Sequence, residues 1–307
     1  MNPDSFIISS QSSSARPALP SPPRGKTGWP WTLATDEPAL QDNGPWPRIS
    51  IVTPSYNQSA YIEEAVRSVL AQGYPNLEYI VMDGGSSDGT LEILRTYQSH
   101  FAYFQSAPDG GQAAALAEGF RRCSGDILAW LNSDDRLLPH TLWRVGYYFR
   151  KHPHVNFVNS DVRFIDAEGH FQHRMYVARP VSSFSRAFAS QGAPQMGCFW
   201  RREAYERCGG VDPAFGFCMD LDLFIRLWRT GRSRRLPGPP TADSRMHDQA
   251  KTARWQMVAE KENAQIIARH SSRPLSLLKP LLKLYRKIWY QQTTIRRLLV
   301  NHFALEV

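Results

Sequence analysis

The chain has 307 residues, 42% hydrophobic and 21% charged, enough to bury a full α/β core as one large domain or two closely joined halves. No run of about 20 apolar residues is present to cross a bilayer, and four cysteines without CxxC spacing point to reduced thiols rather than a disulfide scaffold or a zinc site. The formal net charge of +8 invites a nucleic-acid reading, but six of those charges are the excess of Lys and Arg over Glu306 in residues 272–307, and no nucleic-acid motif accompanies them.

Residues 1–47 form a Ser- and Pro-rich leader, too dense in proline for helix or central strand and expected to be flexible. Trp29, Trp31 and Trp46 qualify that, because aromatic residues in a leader usually dock. Met1 to Ser14 lack the basic and apolar regions of a secretory signal, so a cytoplasmic protein is expected. Order begins at Arg48: Ile49 to Thr53 reads as a buried strand closed by Pro54-Ser55-Tyr56-Asn57, and a helix follows to Leu70. A second strand, Leu77 to Met82, runs into the loop Asp83 to Thr90 and a helix over Leu91 to Tyr97. Strand Phe101 to Gln105, loop Pro108 to Gln112 and helix Ala113 to Cys123 make a third unit. Such repeats predict parallel βαβ units with glycine-rich loops at the strand ends, where nucleotides bind. The spacing fits neither GxGxxG nor a P-loop.

The stretch Gly125 to Asp135 then sends an apolar strand, Ile127 to Leu131, into Asn132-Ser133-Asp134-Asp135. Paired carboxylates at a strand end suit a hard divalent cation, and they equally suit an ordinary turn. Beyond it, Leu137 to Lys151 reads as an amphipathic helix, and Val155 to Ser160, Val162 to Ile165 and Phe171 to Tyr176 read as strands. Arg179 to Gln195 is irregular. Leu221, Phe224, Ile225 and Trp228 mark one buried helical face, which places Asp220 at a helix start, the position of a cap. From Leu275 to Leu299 a Leu/Trp face stands against Lys279, Lys283, Arg286 and Lys287, as expected of a helix on an anionic membrane or one docked on protein.

Pro54-Ser55-Tyr56-Asn57, Val81 to Thr90, Gly125-Asp126 and Leu131 to Asp135, in that order and spacing, resemble the family 2 glycosyltransferases. The resemblance implies an α/β chain of GT-A fold: a Rossmann-like nucleotide-sugar half with a mixed central sheet flanked by helices (48–135), an acceptor half (136–271) and a helical tail (272–307). It implies an inverting transfer from a nucleoside-diphosphate sugar of UDP, dTDP or GDP type to a glycan or lipid-linked acceptor. Bacterial surface-polysaccharide assembly is the expected setting, on the inner face of the cytoplasmic membrane and without nucleic acid as partner. By the same resemblance Thr53, Pro54, Tyr56, Asn57, Asp83, Asn132 and Ser133 hold the donor nucleotide, and Asp134 and His247 hold Mn²⁺ or Mg²⁺. Asp220 is the general base, with Asp222 as second choice, while Gln195, Trp200, Arg245 and Lys251 face the diphosphate or acceptor. Three positions depart from the family pattern: Gly84 stands where a second acid is common, Asn132 replaces the first acid of the metal motif, and Met219 replaces a Glu before Asp220. These departures keep open a catalytically inactive sugar-nucleotide-binding protein, and the basic tail keeps open a nucleic-acid-binding one.

Overall fold

The computed structural model describes residues 18–36, 44–177, 193–251 and 256–270. The chain divides into two compact units, 1–262 and 263–307. Of the second unit only residues 263–270 are described, as helix, and the expected amphipathic helix 275–299 lies outside the described residues.

In the first unit, β1 (Ile49–Ser55), β2 (Leu77–Asp83), β3 (Tyr103–Ser106) and β4 (Ile127–Trp130) lie parallel in the order β4-β1-β2-β3. Helices α1 (Ile62–Leu70), α2 (Thr90–Thr96) and α3 (Gln112–Arg121) connect them, as the alternation of strand and helix patterns predicts. All seven residues of β1 and all four of β4 are buried, the continuous apolar signature of strands covered on both faces. Across β4 the pleat sends Ile127, Ala129 and Leu131 into the main core, while Trp130 joins an aromatic cluster of Phe120, Trp200, Tyr205 and Phe224. Gly119 lets α3 approach the sheet: a Cβ there would lie 2.6 Å from Val52 Cγ1.

The expected helix over 137–151 begins only at Thr141, as α4 (Thr141–Lys151). Arg136 and Leu137 instead form a short strand, β5, drawn there by antiparallel pairing with a strand far along the chain. Next come β6 (Val155–Asn159), β7 (Val162–Ile165) and β8 (Phe171–Met175), then β9 (Cys198–Arg201) and α5 (Arg202–Arg207). Helix α6 (Met219–Arg229), β10 (Arg232–Arg235), β11 (Ala242–Arg245) and α7 (Gln256–His270) complete the described chain. Strand β9 runs antiparallel between β4 and β6, and β10 closes the edge, so the main sheet has seven strands in mixed orientation, β10-β6-β9-β4-β1-β2-β3. A second sheet, β5-β11-β7-β8, stands beside it.

The leader departs most from expectation, because residues 18–36 and 44–47 are docked. Arg67 on α1 is 1% exposed; it pairs with Glu63, donates from Nη2 to the carbonyls of Pro20 and Ser21 at 2.7 and 3.1 Å, and lies over the rings of Trp31 and Tyr97. Trp29 Nε1 donates to Leu137 O at 2.8 Å, Thr35 Oγ1 donates to Gln72 O, and Trp46 stacks edge-on against Tyr74 and Trp143. The carbonyls of a segment without secondary structure need donors where it lies on the protein, and one guanidinium supplies two of them. Arg67→Ala is therefore expected to cost about 2–4 kcal/mol, the range for losing charge-assisted bonds and stranding a partner. Urea denaturation and tryptic cleavage after Lys26 measure it; an unchanged midpoint with an uncut leader would count against the anchoring role.

Candidate active site

Because β1, β2, β3 and β4 are parallel, their carboxyl ends meet at one edge of the sheet. Their loops, 54–61, 84–89, 107–111 and 131–135, line a single cleft there, the usual ligand site of an open α/β sheet. The first two loops are clamped together. Asn57, at φ 52°, receives the Ser87 amide on Oδ1 at 2.9 Å and donates its own amide to Ser86 Oγ, while Asp88 Oδ2 receives the Ser59 amide. Asn tolerates that left-handed backbone better than most residues. Asp83, 2% exposed, accepts from the Gly85 and Ser86 amides and from the Ser86 and Ser106 hydroxyls, which fixes its carboxylate at the end of β2.

Tyr56 is 62% exposed, a ring left standing in the cleft. A Cβ on Gly84 would meet Asp109 Oδ2 at 3.2 Å and Tyr56 Cδ2 at 3.3 Å, so Asp109 puts a carboxylate beside the position where the family pattern expects an acid. Thr53 and Pro54 are buried, and the Thr53 hydroxyl is bonded to Tyr79 OH at 3.0 Å inside the core.

The stretch 132–135 is held from several sides. Asp134 Oδ2 and His247 Nε2 stand 3.1 Å apart, His247 Nδ1 is buried without a partner among the described residues, and the imidazole lies 4.7 Å from the Tyr61 ring. A carboxylate oxygen and an imidazole nitrogen aimed at each other are a donor set that Mn²⁺ or Mg²⁺ accepts, so these residues fit the expected cation. Ser133 is 5% exposed, and Asn132 Oδ1 receives Gln112 Nε2 at 2.9 Å. Asp135, 4% exposed, accepts the Arg245 amide at 3.0 Å; burial, and then the charge of Asp134, push its carboxyl well above the usual range.

Arg245 is placed otherwise than expected. Its Nε donates to Asp134 O at 3.1 Å, Nη2 to Glu64 Oε2 at 2.6 Å, and Nη1 to the carbonyls of Ala167 and Asp166. All three nitrogens are thus bonded within the fold, and its face covers the Tyr61 ring, so the side chain supports the 132–135 stretch. Glu64 also pairs with Arg136, which pairs with the fully buried Asp243, as does Arg163.

On the other side of the cleft Asp220 sits in the first turn of α6, where burial pushes its carboxyl above the ordinary aspartate value. Lys251 Nζ donates to Gln112 Oε1 at 3.1 Å and to Gly216 O, and burial pulls its ammonium down. The chain Asn132–Gln112–Lys251 therefore joins the loop after β4 to the loop before Asp220. Two expectations fall away from the cleft. Asp222 is fully buried and ion-paired to Arg226, and Trp200, 0% exposed, is a member of the aromatic cluster, so packing claims both. Gln195, 7% exposed, donates Nε2 to Trp130 O at 2.7 Å directly below the motif, and its Oε1 has no partner among the described residues.

Gln112, Glu64 and Glu262 were not singled out by sequence reasoning. Gln112 lay within a recognised loop, and Glu64 read as a first-turn helix acid, whereas nothing local to Glu262 marks it. A cavity of about 420 Å³ lined by Arg207, Cys208, Arg226, Arg229 and Thr230 contains none of the candidate residues.

Residues 50–209 match the sequence model of Glycosyl transferase family 2. An uncharacterized glycosyltransferase of Mycobacterium tuberculosis is 30% identical over 188 residues, 59% of this chain and 68% of that one. O-antigen biosynthesis protein RfbC of Myxococcus xanthus is 30% identical over 186 residues, 59% of this chain but 14% of that much longer protein. Among solved structures, S. aureus TarS 1-349 in complex with UDP-GlcNAc aligns with TM-score 0.57 at 16% identity over 72% of this chain and 71% of TarS. Mannosyltransferase PcManGT from Pyrobaculum calidifontis, in complex with GDP-Man and Mn²⁺, aligns with TM-score 0.56 at 22% identity over 78% of this chain and 72% of that one. These likenesses carry the GT-A fold, which the mixed seven-stranded sheet reproduces.

Arg245, 5% exposed behind the 132–135 stretch, has a measurable weight in stability. Arg245→Met should destabilise the protein by about 3–5 kcal/mol, because it leaves the Asp134 carbonyl without its donor and Glu64 with one cation fewer. Arg245→Lys should recover only part of that, since an ammonium cannot span the same acceptors. Equal stability of the two variants in urea would refute the fork's role.

Proposed function

The chain belongs to glycosyl transferase family 2, and on that footing we propose that it is an inverting, metal-assisted glycosyltransferase acting from a nucleoside-diphosphate sugar on a hydroxyl of a glycan or lipid-linked acceptor. The observation that supports the reading is the Asn132–Gln112–Lys251 chain, which ties the loop carrying Asp134 to the carbonyl of Gly216 in the loop before Asp220. Relatives in polysaccharide biosynthesis, such as the O-antigen protein, support a surface-glycan setting. The UDP-GlcNAc and GDP-Man complexes of the structural neighbours support a nucleotide-sugar donor, of UDP, dTDP or GDP type in this reading. No helix among the described residues is long and apolar enough to cross a membrane; in this reading the enzyme works in the cytoplasm, and the basic tail brings it to an anionic membrane surface.

The base of the donor lies against the exposed Tyr56 ring, on loops that Asp83 and Asn57 hold in place. A divalent cation bound at Asp134 and His247 would offset the charge that grows on the departing diphosphate. Asp220 takes the proton of the acceptor hydroxyl while that oxygen bonds to the anomeric carbon, on the face opposite the diphosphate. The bond from that carbon to the diphosphate oxygen breaks with its electron pair leaving on the oxygen, and the configuration inverts. A raised Asp220 pKa brings this base nearer to neutrality, where proton removal is more favourable. Below that pKa the carboxyl is protonated and idle.

Thermal shifts with UDP, dTDP and GDP and their sugar conjugates, each with and without Mn²⁺, test the donor site. Ligand at about 100 times its Kd adds roughly 2.7 kcal/mol. A Mn²⁺-dependent shift with one nucleotide is expected, and Asp134→Ala should abolish it. Asp220→Asn should keep the shift and lose about 10² to 10⁴-fold in kcat, while the wild type loses turnover as pH falls through a value above that of an ordinary aspartate. Full turnover by Asp220→Asn would remove it as the base, and a missing shift with every nucleotide would favour a different ligand class.

A further inference from the structure

Where the family pattern expects a Glu beside Asp220, this chain has Met219, 4% exposed and apolar. A second carboxylate nevertheless reaches this region from far along the chain. Glu262, on α7 and 9% exposed, accepts three consecutive backbone amides: Gly216 N on Oε1 at 2.9 Å, and Phe217 N and Cys218 N on Oε2 at 2.9 and 2.7 Å. These residues are the loop that leads into α6, whose second residue is Asp220. From the same C-terminal stretch Lys251 donates to Gly216 O, so the loop is gripped at both its N–H and C=O groups. The helix has no side-chain cap of its own at Cys218, and a charged acceptor shared by successive free amides is among the stronger hydrogen-bond arrangements.

We infer that Glu262 and Lys251 form a clasp that fixes loop 216–218 and thereby aims the Asp220 carboxyl into the cleft, which makes Glu262 a positioning residue for the reaction. The inference rests on Asp220 as the base. The clasp has an electrostatic side as well. The groups that act on Asp220 or feel its charge are Glu262, Lys251 and the thiols of Cys198 and Cys218; Glu262 raises the Asp220 pKa, Lys251 lowers it, and burial sets the overall upward direction. Both thiols are themselves pushed up by burial, Cys218 to about 12, so they stay neutral and leave the two charged groups to tune the base.

The test uses the full chain and needs no identified donor. The Asp220 carboxyl is titrated by ¹³C NMR, with Asp220→Asn to assign its resonance, in wild type, Glu262→Gln and Lys251→Met. Loss of the Glu262 charge should move the titration to lower pH and loss of the Lys251 charge to higher pH, and amide exchange of Gly216, Phe217 and Cys218 should quicken in Glu262→Gln. The two charges bear on the carboxyl in opposite senses, so titrations that coincide or move together overturn the clasp, while the split between kcat and KM separates aiming from charge alone. Turnover of UDP-GlcNAc and GDP-mannose with Mn²⁺ then separates the two readings. Misplacement of a base costs on the order of 10²-fold, so Glu262→Gln should lower kcat by about that much with the donor KM unchanged. An unchanged kcat in Glu262→Gln beside a dead Asp220→Asn overturns the clasp and leaves the base standing; an active Asp220→Asn overturns the base itself.

Discussion

Arg245 and Arg136 hold the working end of this protein together. Each guanidinium takes one oxygen of Glu64, Arg136 continues to Asp243, and Arg245 continues to the carbonyl of Asp134. The network thus ties α1, β5 and β11 to the residue after Ser133, joining elements more than a hundred positions apart in sequence. Buried ions of this kind repay their desolvation only when every donor has an acceptor, and here they do so by geometry: planar forks meeting carboxylates and carbonyls. Alternative placements of β11 would leave Asp243, which is 0% exposed, without its two arginines, and that penalty favours one arrangement of the second sheet over others.

The same economy recurs on a smaller scale in the loops. Asp83, Asp88, Asn57 and Ser86 bond one another and the amides around them, so the cleft is built of side chains that look like ligands in the sequence but work as staples in the fold. At the same edge stand the exposed ring of Tyr56, the carboxyl groups of Asp109 and Asp134, and the imidazole of His247, whose side chain is only 4% exposed.

This division explains what could be read in advance. The strands β1, β2 and β4 and the helices between them follow from local periodicity, because burial on both faces leaves an apolar run that polar substitution would interrupt. The strand-end positions of Asp83 and Asp134 follow from the same pattern. The fate of Arg245 does not, because a basic residue beside a motif reads the same whether it meets a phosphate or the carbonyl of Asp134. Trp200 was likewise ambiguous until the antiparallel pairing of β9 with β4 and β6 set it among Phe120, Trp130 and Phe224. Short β5 was hidden inside a helical pattern, since its partner β11 lies about a hundred residues away. The described part of the proline-dense leader carries no helix or strand, yet its carbonyls find Arg67, a long-range match that no local count reveals.

Strand β10 carries Arg232 and Arg234 exposed at one border of the main sheet, while β3 at the opposite border has Arg122 lying over the Tyr103 ring at 4.0 Å. Open strand borders are templates on which a second molecule can extend the ladder, and repelling charges are a common guard. At the β3 border that guanidinium is also paired with Glu118, whereas on β10 two like charges stand exposed along one open strand, an arrangement that disfavours sideways growth of a wide, hydrophobic-cored sheet.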